Sequence, residues 1–128
     1  MGRDYKKIRA WQLADELAIN IYKVTNEFPK SEIFGLTSQM RRAAVSVPAN
    51  IVEGAGRNHL KEYLQFLYTA IGSLYELGYY IDFSNRIGYL KDDECKKLLS
   101  QYEITIKTLR ALTNYIEKSK VQGQKSNV

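Results

Sequence analysis

The residues best placed to do chemistry fall on two polar strips. Arg42, Ser46, Asn50, Glu53 and Arg57 recur at spacings of 4, 4, 3 and 4, which puts them on one line of a helix. Glu62, Gln65, Thr69, Ser73 and Glu76 repeat the pattern further along the chain. Two carboxylates brought together, such as Glu53 and Glu76, could divide into a proton donor and a proton acceptor if their surroundings pushed their pKa values apart. The neighbouring cations Arg42 and Arg57 argue instead for ion pairing, and Glu53 with Arg57 has the i, i+4 spacing for it. Met40, Val47 and Ile51 flank the first strip on one side and Val45, Ala49 and Val52 on the other. Apolar flanks on both sides predict burial, and a buried strip must satisfy its own hydrogen bonds. Removing Glu53 would then strand a buried arginine, at a cost of roughly 2 to 4 kcal/mol. The expectation is a structural or interface network of Arg42, Ser46, Asn50, Glu53, Arg57, Ser73 and Glu76. A ligand site or a hydrolase centre is the alternative.

Other chemistry is scarce. A di-iron bundle takes Glu-x-x-His pairs from two helices, whereas this chain has one histidine, His59, and only the reversed order His59-x-x-Glu62. Cys95 is the single cysteine and has no histidine beside it, so it reads as a small core side chain and not as a nucleophile. Gly54-Ala55-Gly56 looks like half of a phosphate loop, but it follows a helical pattern and lacks the Gly-Lys-Ser/Thr element. It reads as a helix terminator. No catalytic residue, metal, cofactor or small-molecule substrate is expected.

Charge supplies a second feature. Lys and Arg number 19 against 14 Asp and Glu, a net of +5. Arg3, Lys6, Lys7 and Arg9 crowd one end of the chain and Lys118, Lys120 and Lys125 the other. Arg3, Lys6, Lys7, Arg9, Lys96, Lys97, Lys107, Arg110, Lys118 and Lys120 make a set suited to an anionic partner, nucleic acid before others. Solubility alone is the competing explanation.

A third feature is aromatic. Tyr68, Gly72, Tyr75, Tyr79 and Phe83 form a row about 125° around their helix from its main apolar stripe. A single bundle needs one stripe. The second suits a contact between copies, where Tyr is enriched and Gly72 permits close approach. The competing readings are an unusually wide core face and a platform for stacking bases, although no basic residue stands between Gly72 and Asp82.

The elements that carry these features are helical. Ala10, Ala14, Leu17, Ile21, Val24 and Phe28 recur at spacings of 4 and 3, which predicts a helix over 5–27, ended by Phe28-Pro29. Leu36, Met40, Ala43, Val47, Ile51 and Ala55 predict a second over 36–55. Asn58 is placed to cap a third over 59–86, carried by Leu60, Leu64, Leu67, Ile71, Leu74 and Ile81. Asp92, Asp93 and Glu94 suit the positive end of a fourth, over 92–119, with Cys95, Leu98, Tyr102, Ile106, Leu109, Leu112 and Ile116 on its apolar face. No stretch alternates with period two, so strands are not expected. Short connections make sequential helices antiparallel, and residues 1–120 are expected to form one all-α domain, an up-down-up-down antiparallel four-helix bundle. A disordered tail is expected over 121–128.

The remaining arithmetic is consistent with this. A length of 128 residues suggests one domain, and 45% hydrophobic with 26% charged residues is ordinary globular composition. The lone cysteine and the absence of a secretory apolar segment point to a reducing cytoplasm. The longest uncharged run, Tyr63 to Tyr75, is too short to span a bilayer.

Several of these residues also match a known pattern. Phe28-Pro29-Lys30-Ser31-Glu32, Leu36 through Ala44, Ser46-Val47-Pro48-Ala49-Asn50-Ile51, Glu53-Gly54, Gly56-Arg57 and Gly72-Ser73-Leu74-Tyr75-Glu76-Leu77 resemble the four-helix-bundle proteins encoded in bacterial 23S rRNA intervening sequences. The resemblance covers about residues 5 to 117. It implies a four-helix bundle assembled as a cyclic homo-oligomer, typically a homopentamer, without established catalytic activity. A related branch, the accessory proteins of diversity-generating retroelements, implies basic pentamers that associate with a reverse transcriptase and nucleic acid. The expected partners are therefore other copies of the chain and RNA or a reverse-transcriptase ribonucleoprotein. A protein scaffold without nucleic-acid contact is the alternative. Ala55 and Ile71 depart from the pattern, where an aromatic and an arginine are frequent.

Overall fold

The computed structural model describes residues 2–126, with side chains through Val121. Four α-helices account for most of them: α1 (Arg9–Thr25), α2 (Leu36–Ala55), α3 (Leu60–Arg86) and α4 (Asp92–Ser126). No strand occurs among the described residues.

The helix ends show where local chemistry overrides apolar spacing. The helix expected to start at residue 5 is interrupted. Tyr5–Lys7 forms a 3-10 turn capped by the Asp4 carboxylate, which accepts from the Lys6 amide at 3.1 Å, and Ile8 is extended before α1 begins. At the far end Thr25 Oγ1 donates back to the Ile21 carbonyl at 2.7 Å, and the chain turns through Asn26 toward Pro29. Asn58 does not cap α3. His59 occupies that position with extended backbone and no side-chain bond to the helix, and Glu62 supplies negative charge in the first turn. Between α3 and α4, Gly88 turns with φ of +88°, a conformation that glycine adopts without steric cost. Asn85 Nδ2 fastens this turn by donating to the Leu90 carbonyl at 3.0 Å and to Asp92 Oδ1 at 2.8 Å.

The tail expected over 121–128 is in part helix, because α4 continues through Ser126. Gln and Lys favour helix, and the single Gly123 costs only about 1 kcal/mol against Ala. Residues 127 and 128 lie outside the described residues.

Each helix packs on two others: α1 on α2 and α4, and α3 on α2 and α4. Among the described residues, the backbones of α1 and α3 do not approach one another closely, nor do those of α2 and α4. The shared core holds Leu17, Ile21, Met40, Ile51, Tyr63, Leu64, Leu67, Leu74, Leu77, Ile81, Leu90 and Leu109, all essentially inaccessible to solvent. At one end of α2, Met40 Sδ accepts from Ser84 Oγ of α3 at 3.5 Å. At its other end Gly54 allows the closest approach: a Cβ there would stand 2.8 Å from Phe66 Cβ and 3.0 Å from Tyr63 Cδ1. Gly78 of α3 likewise seats a ring of α4, with an added Cβ only 2.8 Å from Tyr102 Cε1.

Candidate functional site

The polar strip of α2 meets that of α3 at one point. Ser46 Oγ and Ser73 Oγ stand 2.8 Å apart, and Asn50 Nδ2 donates to the Ser46 carbonyl at 2.7 Å and to its hydroxyl at 3.0 Å. Gln39, Arg42, Ala43 and Glu76 complete a shallow groove of about 220 Å³ around this hydroxyl pair. The expectation of burial fails. Arg42 and Glu76 are exposed, and Glu53 with Arg57 forms a 3.3 Å pair whose side chains are 58% and 42% exposed. Met40, Val47 and Ile51 face the core, but Val45 and Ala49 are themselves exposed, so the second apolar flank borders solvent and not another layer of protein.

The two carboxylates considered as an acid and base pair are held apart. Glu76 lies in the Ser46–Ser73 groove, whereas Glu53 pairs with Arg57 where α2 ends. Cys95 is buried, and burial, with smaller contributions from the Asp82 and Asp92 carboxylates, pushes its thiol above the ordinary range. That suppresses the thiolate a nucleophile requires. His59 is exposed at the start of α3. No cluster of three or more His, Cys, Asp or Glu among the described residues is arranged to hold a metal ion.

The cationic residues divide into engaged and unengaged sets. Arg3 is engaged: its Nη1 donates to the Ala55 and Arg57 carbonyls at 3.4 and 3.1 Å, and its guanidinium lies 4.4 Å over the Tyr63 ring. It adds to the donors at the carbonyl end of α2, where the Arg3 amide also donates to the Ala55 carbonyl at 2.9 Å and the Arg57 amide to that of Gly54 at 3.0 Å. Lys120 is half-buried, and the Lys125 side chain lies outside the described set. Lys6, Lys7 and Arg9 are exposed near the chain start, with Arg9 Nη1 donating to Gln12 Oε1 at 3.4 Å. On α4, Lys96, Lys107 and Lys118 are exposed and recur every 11 residues, close to three helical turns, so they form one line about 33 Å long. Arg110 lies beside that line, while Lys97 borders a separate groove with Asn20, Lys23 and Glu94. The two ion pairs among the described residues are Glu53–Arg57 and Asp82–Arg86. None of the α4 cations takes part in either.

The aromatic row is surface and not core. Tyr68, Tyr75 and Tyr79 are 49%, 44% and 56% exposed. A Cβ on Gly72 would meet nothing within 4 Å. Phe83 is half-buried, its ring 5.9 Å from Tyr79. The basic group missing from the row's own sequence arrives from α4, whose Arg110 guanidinium lies 5.3 Å over the Tyr75 ring. Tyr68 donates to Glu117, also of α4.

One further surface was not singled out by the sequence. Between α1 and α2 runs an apolar groove of about 360 Å³ bordered by Ala18, Ile19, Tyr22, Val45 and Pro48, with Asp15, Lys23 and Asn26 at its margins. Ile19 stands two residues from both Leu17 and Ile21, which puts it off the core face of α1.

Four packed helices without a strand among the described residues define a small all-α protein. Residues 6–111 match the family described as 23S rRNA-intervening sequence protein, and the chain belongs to that family. It is also similar to a solved structure from Bacteroides thetaiotaomicron VPI-5482, described as a protein with unknown function from the S23 ribosomal protein family. The likeness has a TM-score of 0.75 and 18% identity, and covers 82% of this chain and 95% of that one. At that identity it speaks for the fold alone. No curated protein matches the chain. No described helix is long and apolar enough to cross a membrane.

Proposed function

We propose that the protein is a non-catalytic, ring-forming RNA-binding component of the cytoplasm, acting on structured RNA or on a ribonucleoprotein such as one containing a reverse transcriptase. The observation that carries this reading is the line of Lys96, Lys107 and Lys118, exposed along α4 without carboxylate partners among the described residues. Ammonium groups held on a rigid helix meet phosphates without having to break ion pairs of their own, and the counterions released drive association. Lys6, Lys7 and Arg9 add charge at the chain start.

The bundle in this reading is up-down-up-down and antiparallel. Arg41 Nε donating to Thr25 Oγ1 at 2.8 Å, Ser84 Oγ donating to Met40 Sδ, and Tyr68 on Glu117 support it, since each joins an early part of one helix to a late part of another. A homopentamer, the stoichiometry the family resemblance implies, would present the lysine line about five times, and weak contacts would then add as avidity. The exposed aromatic row supports an interface between copies.

The test is binding of nuclease-treated protein to a labelled structured RNA over a range of salt, beside the triple variant Lys96→Gln, Lys107→Gln, Lys118→Gln. The reading expects log-linear weakening with salt, and a slope shallower in the variant by about 0.9 for each phosphate that the removed lysines had neutralised. Absence of binding at low salt overturns it and leaves a protein–protein scaffold.

A further inference from the structure

A closed ring of identical copies is held head to tail, so the surface that receives the aromatic row must differ from the row itself. We propose that the receiving surface is the α1–α2 groove walled by Ile19, Tyr22 and Val45, and that its occupant is the Tyr75–Tyr79 segment of a second copy. This rests on the ring reading above and assigns the half of the interface which that reading leaves open.

Three observations carry the assignment. First, the groove is built of apolar groups left at the surface: Ile19, Tyr22 and Val45 are 49%, 43% and 42% exposed around about 360 Å³ of space. Contiguous exposed apolar surface on a small protein marks a contact site. Second, α1 and α3 lie diagonally in the bundle, as α2 and α4 do, with no close approach of their backbones. Their outward faces therefore point away from each other, and one copy can offer its row while receiving a row in its groove.

Third, the charges are ordered to match. Along α1 the sequence runs from Asp15 and Glu16, past Ile19 and Tyr22, to Lys23. Along the opposing surface it runs from Arg110, which covers Tyr75, past Tyr79 to Asp82. Acid, apolar, base meets base, apolar, acid, over roughly 12 and 10 Å of helix. Asp15, Glu16, Lys23 and Arg110 form no ion pair within the described residues of their own chain. Asp82 already holds Arg86 at 2.8 Å but is 56% exposed. Complementary ends of this kind fix register and direction.

The test uses native mass spectrometry and light scattering on the full chain. Tyr79→Glu breaks the row and keeps the groove, while Ile19→Glu breaks the groove and keeps the row. Each variant alone is expected to fall to the 14.8 kDa monomer with unchanged far-ultraviolet circular dichroism. Mixed in equal amounts, they are expected to give a species of twice that mass and nothing larger, because one sound row and one sound groove remain. A mixture that stays monomeric overturns the proposal, as does an Ile19→Glu protein that keeps the wild-type mass while Tyr79→Glu dissociates; the ring reading survives both. Wild-type protein that is monomeric throughout overturns the ring reading itself. Charge reversal checks register without touching the apolar groups. Glu16→Arg is expected to weaken assembly, with Arg110→Glu on the same chain restoring it, and failure to restore overturns the charge match.

Discussion

The guanidinium of Arg110 lies 5.3 Å over the ring of Tyr75, so the cationic side of α4 and the aromatic row of α3 meet at one residue pair. Such a stack contributes about 0.5 to 1 kcal/mol at an exposed site. Arg110→Ala is therefore expected to change the stability of the separated chain by no more than that in urea unfolding, and a loss above about 2 kcal/mol would show that Arg110 has a structural role within the chain.

The hydroxyl pair between α2 and α3 gives a second expectation. Ser46→Ala leaves Ser73 beside solvent, and the 2.8 Å bond between them should be worth about 0.5 to 1.5 kcal/mol. Glu53→Ala, by contrast, removes an exposed i, i+4 pair and should cost no more than about 0.5 kcal/mol. The same unfolding series measures both, and the reverse order would return the strip to the interior.

Both Gly54→Ala and Gly78→Ala improve helix propensity, yet they should differ in sign or size. At Gly54 the new methyl meets Phe66 Cβ at 2.8 Å and the Tyr63 carbonyl oxygen at 3.2 Å, atoms tied to the α3 backbone. A loss of about 2 to 3 kcal/mol is expected. At Gly78 it meets the far end of the Tyr102 side chain, which is only half-buried and can swing. A change within about 1 kcal/mol is expected there, and equal losses at both sites would show that the Tyr102 ring is fixed.

Arg3→Lys should fail to replace arginine. A lysine ammonium could donate to both carbonyls that Nη1 reaches, but it has no planar guanidinium to lay over the Tyr63 ring while doing so. We expect Arg3→Lys and Arg3→Ala each to cost about 1 to 2 kcal/mol, and Lys6→Gln to cost nothing measurable. Denaturant midpoints decide it, and full rescue by lysine would reduce Arg3 to a simple charge.

Cys95 carries a prediction about pH. Burial, and then the carboxylates of Asp82 and Asp92, raise its thiol above the ordinary value of 9.0. The folded state thus keeps its proton where the unfolded state releases it, so this contribution to stability is intact below pH 9.0 and falls as pH rises through the folded value. Reaction with a thiol reagent at pH 8 should be at least about tenfold slower than for free cysteine and should recover in denaturant. Prompt labelling of the folded protein would contradict the assignment.

The helices were legible in the sequence because apolar residues such as Leu17, Ile21, Met40 and Ile51 recur at helical spacing and all face the core. What spacing could not register was competition from short polar side chains. Asp4 takes the Lys6 amide, and the first helix breaks at Ile8; α3, by contrast, starts after His59 with no side-chain cap to signal it. The polar strip is not buried because Val45 and Ala49, which look like core residues in sequence, are exposed. Of the candidate surfaces, the aromatic row could be read within one helix. Its partnership with Arg110 joins two helices, and the task of Arg3 spans 52 and 54 positions. Contacts at such separations leave no local pattern.

The seat of Tyr102 against Gly78 extends beyond a single molecule. Because a Cβ at 78 and a phenol ring at 102 compete for the same space, the two positions are not free to drift independently. In descendants of this chain, a larger side chain at 78 should be accompanied by a smaller or redirected one at 102, a paired substitution by which the joint between α3 and α4 could be traced through sequences alone.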